Sequence, residues 1–248
     1  MIRSFSFLSG IIFLISCEQK QQDQQNSTGA DSSVVDSVAV LNDPKNNLNI
    51  QTNSFSEIDS SGILMFPLSM GESARSGGSY SYKEMPGNSY WNIVFLNSKT
   101  NEHNLLSEKK MLIRSFEYKY ASNSNAEAVQ TNRYIFYTVT SDDLNKDRKL
   151  DDEDPEYLFC SDKEGKNFQQ VSPANFDLQT WQFIKSANKV VLTARKDSDK
   201  NNRFDDNDEV TTFAVDIETG LSPVEPFATD FKNKLKILYD RDWKRLKK

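Results

Sequence analysis

The sequence predicts an all-β protein of repeated antiparallel units, and three observations carry that prediction. Short runs of β-branched and aromatic residues closed by turn residues recur beyond residue 50: GILMFPLSM, YWNIVFLNS, RYIFYTVTS, EYLFCSD, NKVVLTAR and EVTTFAVDI. No segment between these runs sustains a helical period for three turns. Two acidic stretches, DLNKDRKLDDED at 143–154 and DSDKNNRFDDND at 197–208, stand 54 residues apart, each between two such runs.

The chain begins with MIRSFSFLSGIIFLISC, one positive charge at Arg3 followed by an apolar run over residues 5–15. That run is too short to span a bilayer as a mature helix and has the layout of a secretory signal. Its end, Leu14-Ile15-Ser16-Cys17, resembles the bacterial lipoprotein lipobox, with Ile15 bulkier than the usual small residue. The resemblance implies removal of residues 1–16 and acylation of Cys17, which then anchors the chain stably to a membrane. The alternative is an ordinary signal peptide with an incidental cysteine. With Cys17 acylated, Cys160 is the only other cysteine of the two and has no intramolecular partner; a small buried apolar role is expected for it.

Residues 17–49 carry the lipidated cysteine and then a polar tract without aromatics, rich in Gln, Ser, Asn and Asp. Such a tract cannot bury enough apolar surface to offset the entropy of ordering, so it reads as a disordered tether. The 11% of residues that are aromatic are therefore concentrated in residues 50–248, the expected folded domain. A net charge of −6, from 36 acidic and 30 basic residues, provides no basic field for nucleic acid, which is excluded as a partner.

Within the domain the strands repeat as units. Asp143, Asp147, Leu150, Asp151, Asp154, Phe159 and Asp162 meet Asp197, Asn201, Phe204, Asp205, Asp208, Phe213 and Asp216 at one constant offset. Each unit runs strand, acidic loop, strand, tight turn, short strand. A first unit around YWNIVFLNSKTNEHNLLSE carries the Gly/Ser-rich insertion GESARSGGSYSYKEMPGNS where the others carry acidic loops. The segments GKNFQQVSP, WQFIKSANKVVLTARKD and TTFAVDIETG resemble the TolB-type, WD-repeat-like β-propeller blade. That resemblance implies four-stranded sheets arranged radially. Three clear units are fewer than the roughly four to eight blades that close a propeller. Either terminal strands build a degenerate fourth blade, or the repeats pack as an open or sandwich-like sheet. The last segment, DFKNKLKILYDRDWKRLKK, places Leu235, Tyr239, Trp243 and Leu246 on a helical stripe, yet KLKILYD also alternates; an early strand and a short basic helical end are expected. Its Lys and Arg surplus reads as a solvated face, with contact to anionic headgroups as the alternative.

The acidic stretches carry the most specific chemistry. Numbered from the first Asp, side-chain oxygens fall at positions 1, 3, 5, 9 and 12: Asp143, Asn145, Asp147, Asp151 and Asp154, then Asp197, Asp199, Asn201, Asp205 and Asp208. That is the ligand spacing of an EF-hand-type calcium loop, in which a curled backbone converges alternate side chains on one hard cation. Lys149 and Arg203 at position 7 contribute backbone carbonyls, and Leu150 and Phe204 at position 8 tie each loop to the fold. Two Ca2+ sites are expected, with affinities on the order of 0.1–1 mM; Asp rather than Glu at position 12 relaxes selectivity toward Mg2+. Position 6, usually Gly, is Arg148 or Asn202, and because Asn tolerates a left-handed backbone better, the second loop is expected to bind more tightly. The competing reading is a pair of solvated acidic turns. Strands rather than helices flank both loops, so the expected role is structural.

Catalytic signals are weak. The single histidine, His103, lies in a turn-like stretch; there is no GxSxG elbow, no zinc ligand set and no phosphate-binding Gly-rich loop. The protein is therefore expected not to be an enzyme but a lipid-anchored, calcium-stabilised module of the bacterial cell envelope, at the outer membrane on its periplasmic or surface face, that binds an envelope protein or glycan. The alternative is an exported hydrolase or accessory subunit with an acidic active site. An open aromatic patch of Tyr80, Tyr82, Tyr90 and Trp91 favours binding, whereas a pocket with two carboxylates apart from the loops favours the enzyme.

Overall fold

The computed structural model describes residues 54–69, 89–117 and 133–244. The leader with Cys17, the tether, the Gly/Ser-rich insertion with Tyr80 and Tyr82, and Leu246 lie outside the described residues.

The described chain is mostly β, in two antiparallel sheets. The first contains β1 (Ser56–Ile58), β2 (Ile63–Ser69), β3 (Tyr90–Asn97), β4 (His103–Leu105), β5 (Leu112–Glu117), β6 (Tyr134–Thr140), β7 (Glu156–Asp162) and β8 (Gln169–Gln170). Its order is β1-β2-β3-β5-β6-β7-β8, with β4 also paired to β3. The β3–β5 junction is a single pair, Tyr90↔Ile113, whereas β2 and β3 pair from Ile63↔Asn97 to Ser69↔Tyr90. The second sheet contains β9 (Phe176–Ile184), β10 (Lys189–Lys196), β11 (Val210–Asp216) and β12 (Pro223–Val224), in the order β12-β11-β10-β9.

All six expected runs form strands, because alternate β-branched and aromatic side chains find buried faces. Strand β6 is buried along almost its whole length, and its alternation serves two cores. Ile135, Tyr137 and Val139 join Ile58, Met65, Ile93, Phe95 and Ile113 on one side. Phe136 joins Leu158, Cys160, Leu192, Phe213 and Val215 on the other. One strand thus ties β1–β3 to β9–β11 through its opposite faces. Aromatic rings fill the seams, with Phe159 stacked on Phe168 at 4.8 Å and Phe136 5.5 Å from Trp181. Cys160 sits fully buried in β7, and burial together with the Asp162 charge pushes its thiol up to about 12.

Tight turns close the hairpins in a common way. Asn97 Oδ1 accepts the N–H groups of Lys99 and Thr100; Asp162 Oδ1 accepts those of Glu164 and Lys166; Asp216 Oδ1 accepts those of Glu218 and Thr219. In the second turn Gly165 has φ +74°, and a Cβ there would lie 2.2 Å from the buried ring of Phe95. Only glycine meets both demands.

The C-terminal segment departs from expectation. KLKILYD is helical, lying in α1 (Thr229–Tyr239) and running into a π turn at Asp240–Lys244. Local contacts favour the helix: Phe227 and Phe231 rings meet at 5.6 Å, Lys232 Nζ pairs with Glu225 at 2.5 Å, and Asp230 stands in the first turn. His103 lies in the short strand β4, exposed, rather than in a turn.

Candidate functional site

Each acidic stretch joins the two central strands of a hairpin, β6 to β7 and β10 to β11. Strand ends fix where each loop starts and stops, and side-chain oxygens then organise the backbone between them. In the first loop Asp143 accepts the N–H groups of Asp147 (3.1 Å) and Arg148 (2.7 Å), Asn145 Oδ1 accepts that of Asp147 (2.9 Å), and Asp147 Oδ1 that of Lys149 (2.8 Å). Asp154 closes the ring, its two oxygens accepting the N–H groups of Leu144 (2.9 Å) and Asp151 (3.2 Å).

The second loop repeats this network residue for residue. Asp197 accepts from Asn201 (3.0 Å) and Asn202 (3.0 Å), Asp199 Oδ1 from Asn201 (3.1 Å), and Asn201 Oδ1 from Arg203 (2.7 Å). Asp208 accepts from Ser198 (2.8 Å) and Asp205 (3.0 Å). Position 9 also behaves alike, Asp151 and Asp205 each accepting the N–H two residues on, from Glu153 (3.0 Å) and Asn207 (2.8 Å). Both loops place positions 4 and 6 in the left-handed region: Lys146 at φ 62° and Arg148 at 72°, Lys200 at 63° and Asn202 at 61°. The curl thus forms in both loops without Gly at position 6.

The structure brings the position-12 carboxylates to the buried base of each loop, where Asp154 is 4% and Asp208 9% exposed. Asp197, Asp199 and Asp208 each offer an oxygen within 4.8 Å of the others, a group of carboxylates with the spacing to hold a metal ion. The first loop has Asn145 in the position of Asp199 and Asp147 in that of Asn201, so each loop offers four carboxylates and one amide, differently placed. Electrostatics differ as well. Burial, with Asp143 and Asp151 nearby, holds the Asp154 carboxyl above the usual range despite its two N–H donors. The N–H groups of Ser198 and Asp205 hold Asp208 below it, and Arg195 adds to that effect.

Residues outside the spacing pattern complete the setting. Arg114 on β5 pairs with Asp152 at 2.7 Å and lies 3.6 Å from Glu156; Arg195 on β10 meets Asp206 at 3.4 Å. Each position-10 Asp is thereby paired with an arginine from a strand. A cleft of about 610 Å³ lies between the loops, lined among others by Asn145, Asp152, Glu156, Asp177, Arg203 and Phe204. The Glu156 N–H donates to Asp177 Oδ1 at 2.9 Å, and burial holds both carboxyls above their ordinary range. No local motif announces Arg114, Glu156 or Asp177, because they come together only through the pairing of β5, β6, β7 and β9.

Of the expected aromatic patch, Tyr90 and Trp91 are among the described residues. Trp91 is 44% exposed, whereas Tyr90 is half-buried with its ring 5.7 Å from Phe116. No protein-family model matches the chain, and neither does any curated protein or solved structure.

Proposed function

We propose that this chain is an exported lipoprotein, anchored through Cys17 in the bacterial cell envelope, whose β-repeat domain is pinned by Ca2+ in its two acidic loops and binds an envelope protein or glycan. One observation carries the metal reading: both loops, 54 residues apart, form the same side-chain-to-backbone network with the same two left-handed residues. A cation among oxygens at positions 1, 3, 5, 9 and 12 offsets the repulsion between carboxylates that the loops otherwise bear. Magnesium is the competing ion, since Asp at position 12 reaches less far than Glu.

The strand order supports reading the domain as three four-stranded blades, β1–β4, β5–β8 and β9–β12. The single pair at Tyr90↔Ile113 then marks the join between the first two, and β6 packs one blade against each neighbour. In a stack of this kind a loop cation fixes hairpin geometry rather than opening helices, so its work is structural.

The cleft supports a second reading, an exported hydrolase in which Glu156 and Asp177 act as the carboxylate pair, because burial raises both carboxyls above their ordinary range. The cleft is walled by the acidic loops themselves rather than set apart from them, which favours binding.

Calorimetric titration of the chelated protein tests the metal reading. The account expects two Ca2+ sites with dissociation constants on the order of 0.1–1 mM, the second loop tighter. Asp143→Ala and Asp197→Ala should each remove one site. Absence of saturable heat in the millimolar range contradicts it.

A further inference from the structure

The helix α1 and the π turn after it display an apolar stripe that is exposed among the described residues. None of the helix residues is buried, and Phe231, Leu235, Tyr239 and Trp243 are 46%, 50%, 57% and 71% exposed. These four recur every fourth residue and so share one side of the helix. Lys234 borders the stripe on one flank, and Lys232 and Lys236 on the other. Lys232 is paired with Glu225 at 2.5 Å, and Lys236 lies 4.0 Å from Glu209, so the basic flank meets the domain while the aromatic side faces outward.

We infer that this stripe docks on an anionic lipid surface. From residue 229 to the C-terminus the sequence holds eight Lys and Arg against three Asp, a local charge of +5 in a chain of −6. A second copy of the same basic stripe would repel it, and lysines are depleted from the cores of protein interfaces. At a bilayer surface the same composition is complementary: aromatic rings sit at headgroup level, and Lys234, on the flank away from Glu225 and Glu209, extends along the apolar face with its ammonium group in the phosphate layer. An 11-residue helix is about 16 Å long, half the hydrocarbon thickness, so it lies in the interface plane instead of crossing. The inference rests on the membrane-anchored reading for its biological setting, since an anchor at Cys17 holds the domain near such a surface.

The test uses the full chain with vesicles of phosphatidylcholine, with or without phosphatidylglycerol, carrying brominated acyl chains that quench tryptophan only on contact. The Trp243 contribution is the difference between the wild type and Trp243→Phe. That contribution should be quenched with phosphatidylglycerol, and quenching should be lost in high salt and in a Leu235→Glu/Tyr239→Glu variant whose melting temperature is unchanged. Trp243 emission that is unquenched on phosphatidylglycerol vesicles, or quenched equally in the double variant, overturns the inference. So does crosslinking of Trp243 to a protein without lipid quenching. The anchor is read separately, by the mass of the Cys17 peptide and by release of Cys17→Ser from the membrane fraction, so either reading can fail without the other.

Discussion

At the residue scale, the carboxylates fall into two classes with opposite pH behaviour. Asp208 and Asp216 are held below their ordinary range, first of all by backbone N–H donors. A lowered folded value means that their stabilisation is present above the unfolded pKa, about 3.9, and is lost as pH falls through the folded value. Asp154, Glu156 and Asp177 are raised, first of all by burial. Their contribution is full below the unfolded values and is lost as pH rises through the folded ones. In metal-free buffer, Asp177→Asn should therefore flatten the fall in melting temperature as pH rises above the unfolded value of about 4, because the amide oxygen still accepts the Glu156 N–H without a charge to bury. A melting profile parallel to wild type over that range would sink the assignment. Gly165 offers a second test at this scale. Gly165→Ala adds a methyl at φ +74° against the Phe95 ring and should cost about 1–3 kcal/mol, read by urea unfolding; a neutral result would show that the turn does not pack on Phe95 as described.

At the scale of elements, the hairpin loops were legible, and the C-terminal helix only in part, its early residues having been expected as a strand. The loops could be read because side-chain oxygens at fixed spacing determine a local backbone path with little help from the rest of the fold. Strands β2, β3, β6, β7, β10 and β11 were legible because their apolar alternation meets buried faces. Strand β9 mixes Asp, Gln and Thr with its aromatics because it is an edge strand, and LIRSFE of β5 is only half-buried, so neither stood out as a run. KLKILYD carried two periods at once, and contacts among Glu225, Phe227, Phe231 and Lys232 decided between them. Arg148 tests the loop geometry directly. Its φ of 72° is costly for a side chain with a Cβ, so Arg148→Gly should stabilise the first loop by about 1 kcal/mol and tighten its Ca2+ affinity toward that of the second. An unchanged affinity, measured by calorimetry against Asn202→Gly, would show that position 6 does not limit binding.

For the molecule as a whole, the all-β class and the order of strand, acidic loop, strand, turn and short strand could be read from the chain. The way the hairpins stack could not, because it depends on β6 presenting Ile135, Tyr137 and Val139 to one core and Phe136 to another. The same long-range pairing gathers Arg114, Asp152, Glu156 and Asp177 around the cleft, with no signal in any one segment. A metal in both loops would clamp hairpins on either side of that cleft and so couple cation binding to the stability of the whole domain. The most direct measurement of this is thermal melting of the purified protein in chelator, followed by addition of Ca2+ or Mg2+. At ten times the dissociation constant each site contributes about 1.4 kcal/mol, and two sites should raise the midpoint by about 5–10 °C for a domain of this size. Ca2+ should act at lower concentration than Mg2+, and Asp143→Ala/Asp197→Ala should abolish the shift. A melting curve that neither chelator nor Ca2+ moves would contradict the account.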